Sequence, residues 1–495
     1  MLLPLLLALP VAAQDPSPSQ GLATLEMKSV EVQLPHGHEV QAERGMLWVP
    51  ILRANPKSKK IGVDVWRFRA RSEEKPTAPP VFILHGGPGW GGMEPHSVEW
   101  DDSIERVTRF ADCIVVGQRG IGTSSGTPCD GVIDRELGYP DAQASEEERV
   151  QFLQARCMDC REHWLAQGYD LSGFNVIEAA GDVSDVSRIL GYDQISLWGT
   201  SFGSHWGMAI MRFHPGLVAR SLLGGMEGPD HTYDSPSGVL DGIKRMAAAA
   251  DASPRLAEHI PEGGLIAAFS VLIDAIEADP FELEVTNPST RKLQSVRIDG
   301  DALRSMSLGL GSRVSSRRNM PQWPAIIIRM LRGDFEPLAR SLISDQGAPS
   351  LPSASFFMLD CGSGITPGRL KRYLEDPAIK IVDNLSEFYI NTCSVWNADL
   401  GDEFRSDFVS EIPTVVVQGL WDVSTPFSNA LECIPLFSNL KFIAVDGGSH
   451  NALGESMDML PGFAEGIFGF LETGSSEALP DDVQLPEVEW ILPSD

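Results

Sequence analysis

Residues 195–215 read ISLWGTSFGSHWGMAIMRFHP, and this stretch decides the fold. Ile195 to Trp198 is a short apolar run of the kind that forms a buried strand. It breaks into Gly199-Thr200-Ser201-Phe202-Gly203, which fits G-x-S-x-G. A helical stretch follows, with Trp206, Met208, Ile210 and Met211 set among small residues. Strand, tight turn and helix is the context in which that pattern makes a nucleophile elbow. The glycines are needed because the turn brings the two backbones together and leaves no room for a Cβ. Ser201 then stands at a strained apex above the carboxyl edge of the sheet. The plainer reading, a glycine-rich turn with a solvated serine, leaves the flanking strand and helix unexplained.

Upstream, Val176, Ala180, Val183, Val186 and Leu190 recur at helical spacing, and Asn175 is placed to cap the first turn, with Glu178 at the capping-box position. A helix leading into Ile195 makes a βαβ rhythm and hence a parallel sheet. Val81 to Leu84 is another run suited to a strand buried on both faces. It ends in HGGPGWGG (85–92), where backbone amides can approach a ligand closely. No G-K-[ST] follows, so a phosphate-binding loop is excluded. Pro88 has no N–H, which leaves Gly86, Gly87 or Gly89 as donors. The strand Cys113–Val116 leads to GQRGIGTS (117–124), and segments between Val30 and Arg71 read as edge strands.

Downstream, the strand Ala219–Leu223 ends in GGMEGPD (224–230), and the βαβ rhythm then stops until Pro413. Helical patterns fill the interval (237–250, 264–278, 301–309 and 322–344), with one strand pair, Phe281–Val285 and Leu293–Ile298. Strands resume at 413–419 and 440–445. The expected class is α/β, a mostly parallel central sheet with a large, mainly helical cap inserted after the sixth strand. Its parts are a first core segment (30–230), a cap (231–410), a second core segment (411–474) and an acidic, poorly ordered tail (475–495).

A serine hydroxyl needs an adjacent base, itself oriented by a third group. Strand 413–418 is followed by GLWDVSTP, which places Asp422 just past a strand end. The last strand is followed by DGGSHN, which places His450 in a glycine-rich loop. Ser, Asp, His is the chain order of the α/β-hydrolase triad, so Ser201, Asp422 and His450 are the expected catalytic residues. Asp446 is the rival acid but lies too close to His450 to form a separate loop. The Phe202 amide, with one from Gly86 or Gly87, is the expected oxyanion hole.

HGGPG at 85–89, GQRGIGTS at 117–124, GTSFG at 199–203, GLWDVSTP at 419–426 and GGSHN at 447–451 resemble the proline iminopeptidase and tripeptidyl aminopeptidase family of serine peptidases, an α/β-hydrolase family. The similarity runs from about residue 45 to 470 and includes PQWPAIIIRMLRGDFEPLARSL (321–342) in the cap. One position departs: Gly117 stands where the resembled loop usually has an acid. The resemblance implies release of an N-terminal proline or short peptide through an acyl-enzyme, with acidic side chains holding the substrate amine. Glu227 and Asp230, just beyond a strand end, are the candidates for that, against the reading that both are solvated loop carboxylates. A carboxylesterase or other ester or amide hydrolase with the same triad is the alternative. An epoxide hydrolase or dehalogenase is disfavoured by a serine at the elbow, and a catalytically dead binding protein by the filled triad positions.

The net charge of −29 argues against a nucleic-acid partner, since phosphate binding needs a basic face. Such a field could favour a cationic peptide amine or serve solubility alone. The partner expected is a peptide substrate, with no cofactor and no metal. Residues 1–13 resemble a signal peptide ending at Val11-Ala12-Ala13, and 14–29 a disordered lead-in. Nothing else approaches the ~18 apolar residues of a membrane helix. Seven cysteines fit an exported, periplasmic or secreted protein with two or three disulfides and one spare thiol. Cys157-Met-Asp-Cys160 lacks the second pair a zinc site needs, and connectivity stays open.

Overall fold

The computed structural model describes residues 23–33, 39–55, 57–71, 76–89, 98–132, 146–287, 291–308, 316–343, 351–384 and 386–493. The expected signal peptide (1–13) lies outside them, as do Gly91 and Gly92 of the glycine loop. The strands in chain order are β1 (Thr24–Gln33), β2 (Glu39–Pro50), β3 (Lys60–Phe68), β4 (Val81–Leu84), β5 (Cys113–Val116), β6 (Ile195–Ser201), β7 (Val218–Met226), β8 (Phe281–Thr286), β9 (Leu293–Ile298), β10 (Thr414–Gly419), β11 (Leu440–Asp446) and β12 (Asp482–Gln484). Ten of them form one sheet in the order β1-β2-β3-β5-β4-β6-β7-β10-β11-β12. β1, β2, β3 and β5 pair antiparallel, and from β5 onward every neighbouring pair is parallel.

Period-two alternation divides the strand side chains between two faces. Phe82 and Leu84 join one apolar cluster with Trp206, Val183 and Val186. Val81 and Ile83 join another on the opposite face with Ile104, Ile467 and Phe470. A strand buried on both sides cannot carry polar residues, which is why these runs read as continuous apolar stretches. The helix Val176–Leu190 begins as expected, with the Asn175 side chain accepting the Glu178 N–H at 2.9 Å. Glu178 does not close a capping box. Its carboxylate turns to Arg53, accepting from Nη1 at 2.7 Å.

Three expectations are corrected here. Residues 24–29 are not a disordered lead-in, because β1 pairs along its whole length with β2 and places Val32 in the core. With β1 counted, the insertion follows the seventh strand in chain order. The tail is not poorly ordered: β12 adds to the sheet edge beside β11, and Leu479, Leu485 and Trp490 are buried between its acidic residues. A few large apolar side chains outweigh the polar composition around them.

The chain between β7 and β10 packs as two parts. Helices Pro236–Asp251, Leu265–Ala278 and Gln322–Leu331, with the β8–β9 hairpin, share a core of their own. Helices Ala354–Ser363 and Glu387–Trp396 instead send Phe357, Met358 and Trp396 into the core of the main sheet. The disulfide Cys361–Cys393 joins these two helices, and Cys129–Cys160 ties the loop after β5 to helix Glu146–Ala166. Three thiols rather than one are free: Cys113, Cys157 and Cys433 are all buried. Two disulfides are compatible with an extracellular protein. Among the described residues no helix is long and apolar enough to cross a membrane.

Candidate active site

Ser201 ends β6 and starts the helix Phe202–Phe213 at φ 57°, ψ −132°, a conformation that L-residues rarely adopt. Its side chain makes no helix-capping hydrogen bond, which leaves the hydroxyl for other work. Both elbow glycines are sterically required. A Cβ on Gly199 would stand 2.2 Å from the Gly203 carbonyl oxygen, and one on Gly203 would stand 2.1 Å from that of Leu84. The same crowding brings Gly86 against the serine, since a Cβ there would lie 3.0 Å from Ser201 Cβ.

Asp422 and His450 meet across two loops. His450 Nδ1 lies 3.0 Å from Asp422 Oδ2 and 3.1 Å from Oδ1. Asp422 is fully buried and accepts further from Ser424 N (2.8 Å), Thr425 N (2.9 Å), Thr425 Oγ1 (2.8 Å) and Gln418 Nε2 (3.0 Å). Burial alone would raise its pKa, but His450 and the two amides outweigh that and hold it below the usual carboxylate value. An ionised Asp422 requires the proton on Nδ1, so Nε2 is left as an acceptor. Burial opposes charge on His450, yet Asp422, then Asp234 and Glu455, raise its pKa above the ordinary value. The ring sits over Gly225, where a Cβ would be 3.0 Å from His450 Cε1. The next residue, Met226, is the sheet partner of Ser201, so the serine and the histidine border adjacent residues of β7. The rival acid, Asp446, is exposed at the end of β11.

Sequence reasoning missed how the glycine loop is held. Gln118 donates through Nε2 to the carbonyls of His85 (3.1 Å) and Gly86 (2.9 Å), and its Oε1 accepts the Gly89 N–H at 2.9 Å. The loop's shape beside Ser201 therefore depends on one buried amide side chain. Arg119 beneath it is wholly buried and bidentate to Asp182, with Nε–Oδ2 2.8 Å and Nη2–Oδ1 2.7 Å. Gly117, the position that departs from the resembled family, has room for no side chain: a Cβ would lie 2.3 Å from Ser124 Oγ.

The two candidate amine-binding acids separate. Both oxygens of Asp230 are engaged at the start of helix Pro367–Leu374, accepting Thr366 N (2.7 Å) and Thr366 Oγ1 (2.6 Å). Glu227 is 8% exposed, and among the described residues its carboxylate has no hydrogen-bond partner. Burial raises its pKa well above the usual range, and the neighbouring charges of Asp360 and Asp234 raise it further. Burial pushes Asp360 up to about 8 although Tyr389 donates to its Oδ2 at 2.7 Å. Asp234 is raised well above the ordinary range too, by burial first and then by Asp422, with His450 and Arg369 opposing the shift and Asp360 adding to it. Tyr233 stacks on Tyr389 with centroids 5.5 Å apart, walling this group of acids. Asp234 and Asp360 had no signal in the sequence, because neither follows a core strand directly and only the fold brings them to Glu227. Among the described residues, no group of His, Cys, Asp and Glu is arranged to hold a metal ion.

A family model described as the alpha/beta hydrolase fold matches residues 79–249. The chain has the α/β-hydrolase fold. No curated protein sequence matches it. Solved structures similar to this chain include a serine hydrolase from the polyaromatic-hydrocarbon-degrading bacterium Cycloclasticus zankles, at 10% identity and TM-score 0.36, covering 90% of this chain and 99% of that one. Another is the meta-cleavage product hydrolase of Pseudomonas fluorescens, at 12% identity and TM-score 0.35, covering 84% of this chain and 96% of that one. An epoxide hydrolase from Vigna radiata overlays at 13% identity and TM-score 0.33, covering 90% and 96%. At these scores the overlays say nothing about substrate.

Proposed function

We propose that this hydrolase is a serine aminopeptidase that removes an N-terminal residue or short peptide through an acyl-enzyme. Ser201 Oγ attacks the scissile carbonyl while His450 Nε2 takes its proton, and Asp422 stabilises the imidazolium through Nδ1–H. The Phe202 amide and one from Gly86 or Gly87 receive the oxyanion; losing one such donor typically costs ~10²–10³ in turnover. His450 then protonates the leaving amine of the C-terminal fragment. The N-terminal fragment stays on Ser201 until water, activated by the same histidine, releases it.

The observation that carries the peptidase reading is the group Glu227, Asp234 and Asp360 beside the acid–base pair: burial raises the pKa of all three, and among the described residues none of them forms a salt bridge, although His450 and Arg369 act on Asp234. A substrate α-ammonium entering there would supply the missing charge, with the tyrosine faces adding cation–π attraction. Asp230, with both oxygens engaged at Thr366, is the weaker candidate for the amine, and Glu227, Asp234 and Asp360 take that role. The expected export of the chain and the action on peptides belong to the same reading. The test is digestion of an unblocked peptide ladder by wild type and Ser201→Ala. Products shortened from the N-terminus by the wild type alone are expected. Hydrolysis of p-nitrophenyl esters with intact peptides would favour the carboxylesterase reading instead.

A further inference from the structure

The loop that carries His450 is rich in glycine, and Gly447 has φ +73°, so the loop does not hold the base by its own stiffness. Two outside groups hold it. Glu455 accepts the Ser449 N–H at 2.9 Å and also the Ser449 hydroxyl. Arg317, from the insertion between β7 and β10, donates through Nη1 to the Gly447 carbonyl at 2.6 Å and through Nη2 to the Pro486 carbonyl of the tail. Its backbone N–H reaches Glu455 Oε1 at 3.2 Å. The tail reinforces the same corner: Leu485 N donates to Asp446 O at 2.9 Å, and Ile491 N to Pro321 O at 3.2 Å. Trp490 stacks on Trp421, the neighbour of Asp422, with centroids 6.5 Å apart. Among the described residues Arg317 makes no salt bridge with a carboxylate, so its charge is spent on two carbonyls of different segments.

We propose that Arg317 is a positioning residue for His450, through which the insertion and the C-terminal tail together hold the catalytic base. The proposal rests on the assignment of Ser201 and His450 above, so its test uses reagents that need no peptide pocket. Full-length wild type, Arg317→Met, Arg317→Lys and Trp490→Ala are compared for the rate of Ser201 labelling by a fluorophosphonate and for kcat and KM on p-nitrophenyl acetate. Displacing a base by about 1 Å can cost ~10²-fold, so Arg317→Met is expected to lose ten- to a hundredfold in labelling rate and kcat, with KM changed less than twofold. Arg317→Lys should recover part of that loss, and Trp490→Ala should fall in the same direction by less. The groups facing His450 are Asp422, Asp234 and Glu455. Losing the cation beside Glu455 should move the acid limb of kcat/KM to higher pH in Arg317→Met and leave it in place in Arg317→Lys, which a merely structural role would not do. Wild-type rates and an unshifted limb in folded Arg317→Met would overturn the proposal. If that variant does not fold, undiminished labelling in both Arg317→Lys and Trp490→Ala would overturn it. A wild type that the fluorophosphonate does not label at all would instead overturn the Ser201 assignment.

Discussion

Two groups of three carboxylates are packed into this molecule, and they are treated in opposite ways. Glu178, Asp182 and Asp185 share the helix Val176–Leu190 and are answered by arginines. Arg53 reaches all three at 2.6–2.9 Å, and Arg119 doubles the contact to Asp182. Burial works against the Asp182 charge, but Arg119 and Arg53 hold its pKa below the usual value. Glu227, Asp234 and Asp360 come from the end of β7 and from the insertion, and each is pushed the other way. A buried charge is stable only when paired. The first group is complete and serves the fold; the second is completed, on our reading, by a substrate.

That contrast can be broken most severely at Asp182. Asp182→Asn takes the bidentate carboxylate from the wholly buried Arg119, and removing one partner of a buried pair typically costs about 3–5 kcal/mol. The midpoint of denaturant unfolding reads this, and a change near zero would mean the first group is no more essential than a surface pair. Opening the Cys361–Cys393 bridge comes next, because it holds the helix of Asp360 to the helix of Tyr389. A paired Cys361→Ala, Cys393→Ala variant should lose about 3 kcal/mol, read in the same unfolding curves. It should also discriminate less between free and blocked peptide amines.

Another effect sharpens the contrast by its sign. The folded pKa of Asp360, near 8, lies above the ~3.9 of an unfolded aspartate, so its protonated form favours the fold. That stability is fully present below about pH 4 and is lost as pH rises toward 8. Asp360→Asn should therefore melt above wild type at pH 8 and level with it at pH 4, with no substrate present. Melting temperatures that fall equally with pH in both proteins would place the titration elsewhere. The smallest effect separates the pocket from the proposed catalytic base. On a neutral ester, kcat/KM should rise with pH through a single value above the ordinary 6.5 of histidine, since Asp422 raises His450. A flat profile between pH 5 and 8 would count against His450 as the base.

The core of the candidate site was legible because strand ends announce themselves. Ser201, Asp422 and His450 each follow a short apolar run and a turn, and Gly199 and Gly203 are residues no other side chain could replace. The acids of the insertion carry no such punctuation. Asp230 and Asp234 lie four residues apart in one loop, and nothing in the sequence tells that one is engaged at a helix start while the other faces Glu227 and Asp360. The tail misled by composition: its acidic stretch read as poorly ordered, while the buried Leu485 and Trp490 settle the structure. Gln118 stands in the GQRGIGTS motif, yet only the folded loop reveals the three backbone groups it binds.

The most direct test of the account compares kcat/KM for one peptide with its amine free and acetylated, in wild type and in Glu227→Gln. A charge-assisted hydrogen bond to a buried carboxylate is worth ~1.5–3 kcal/mol, so acetylation should cost the wild type tenfold or more. In Glu227→Gln the free peptide should fall toward the acetylated one, while the acetylated rate and ester hydrolysis stay unchanged. Equal rates on free and acetylated peptide in the wild type would contradict the claim that the unpaired carboxylates exist to receive a substrate amine.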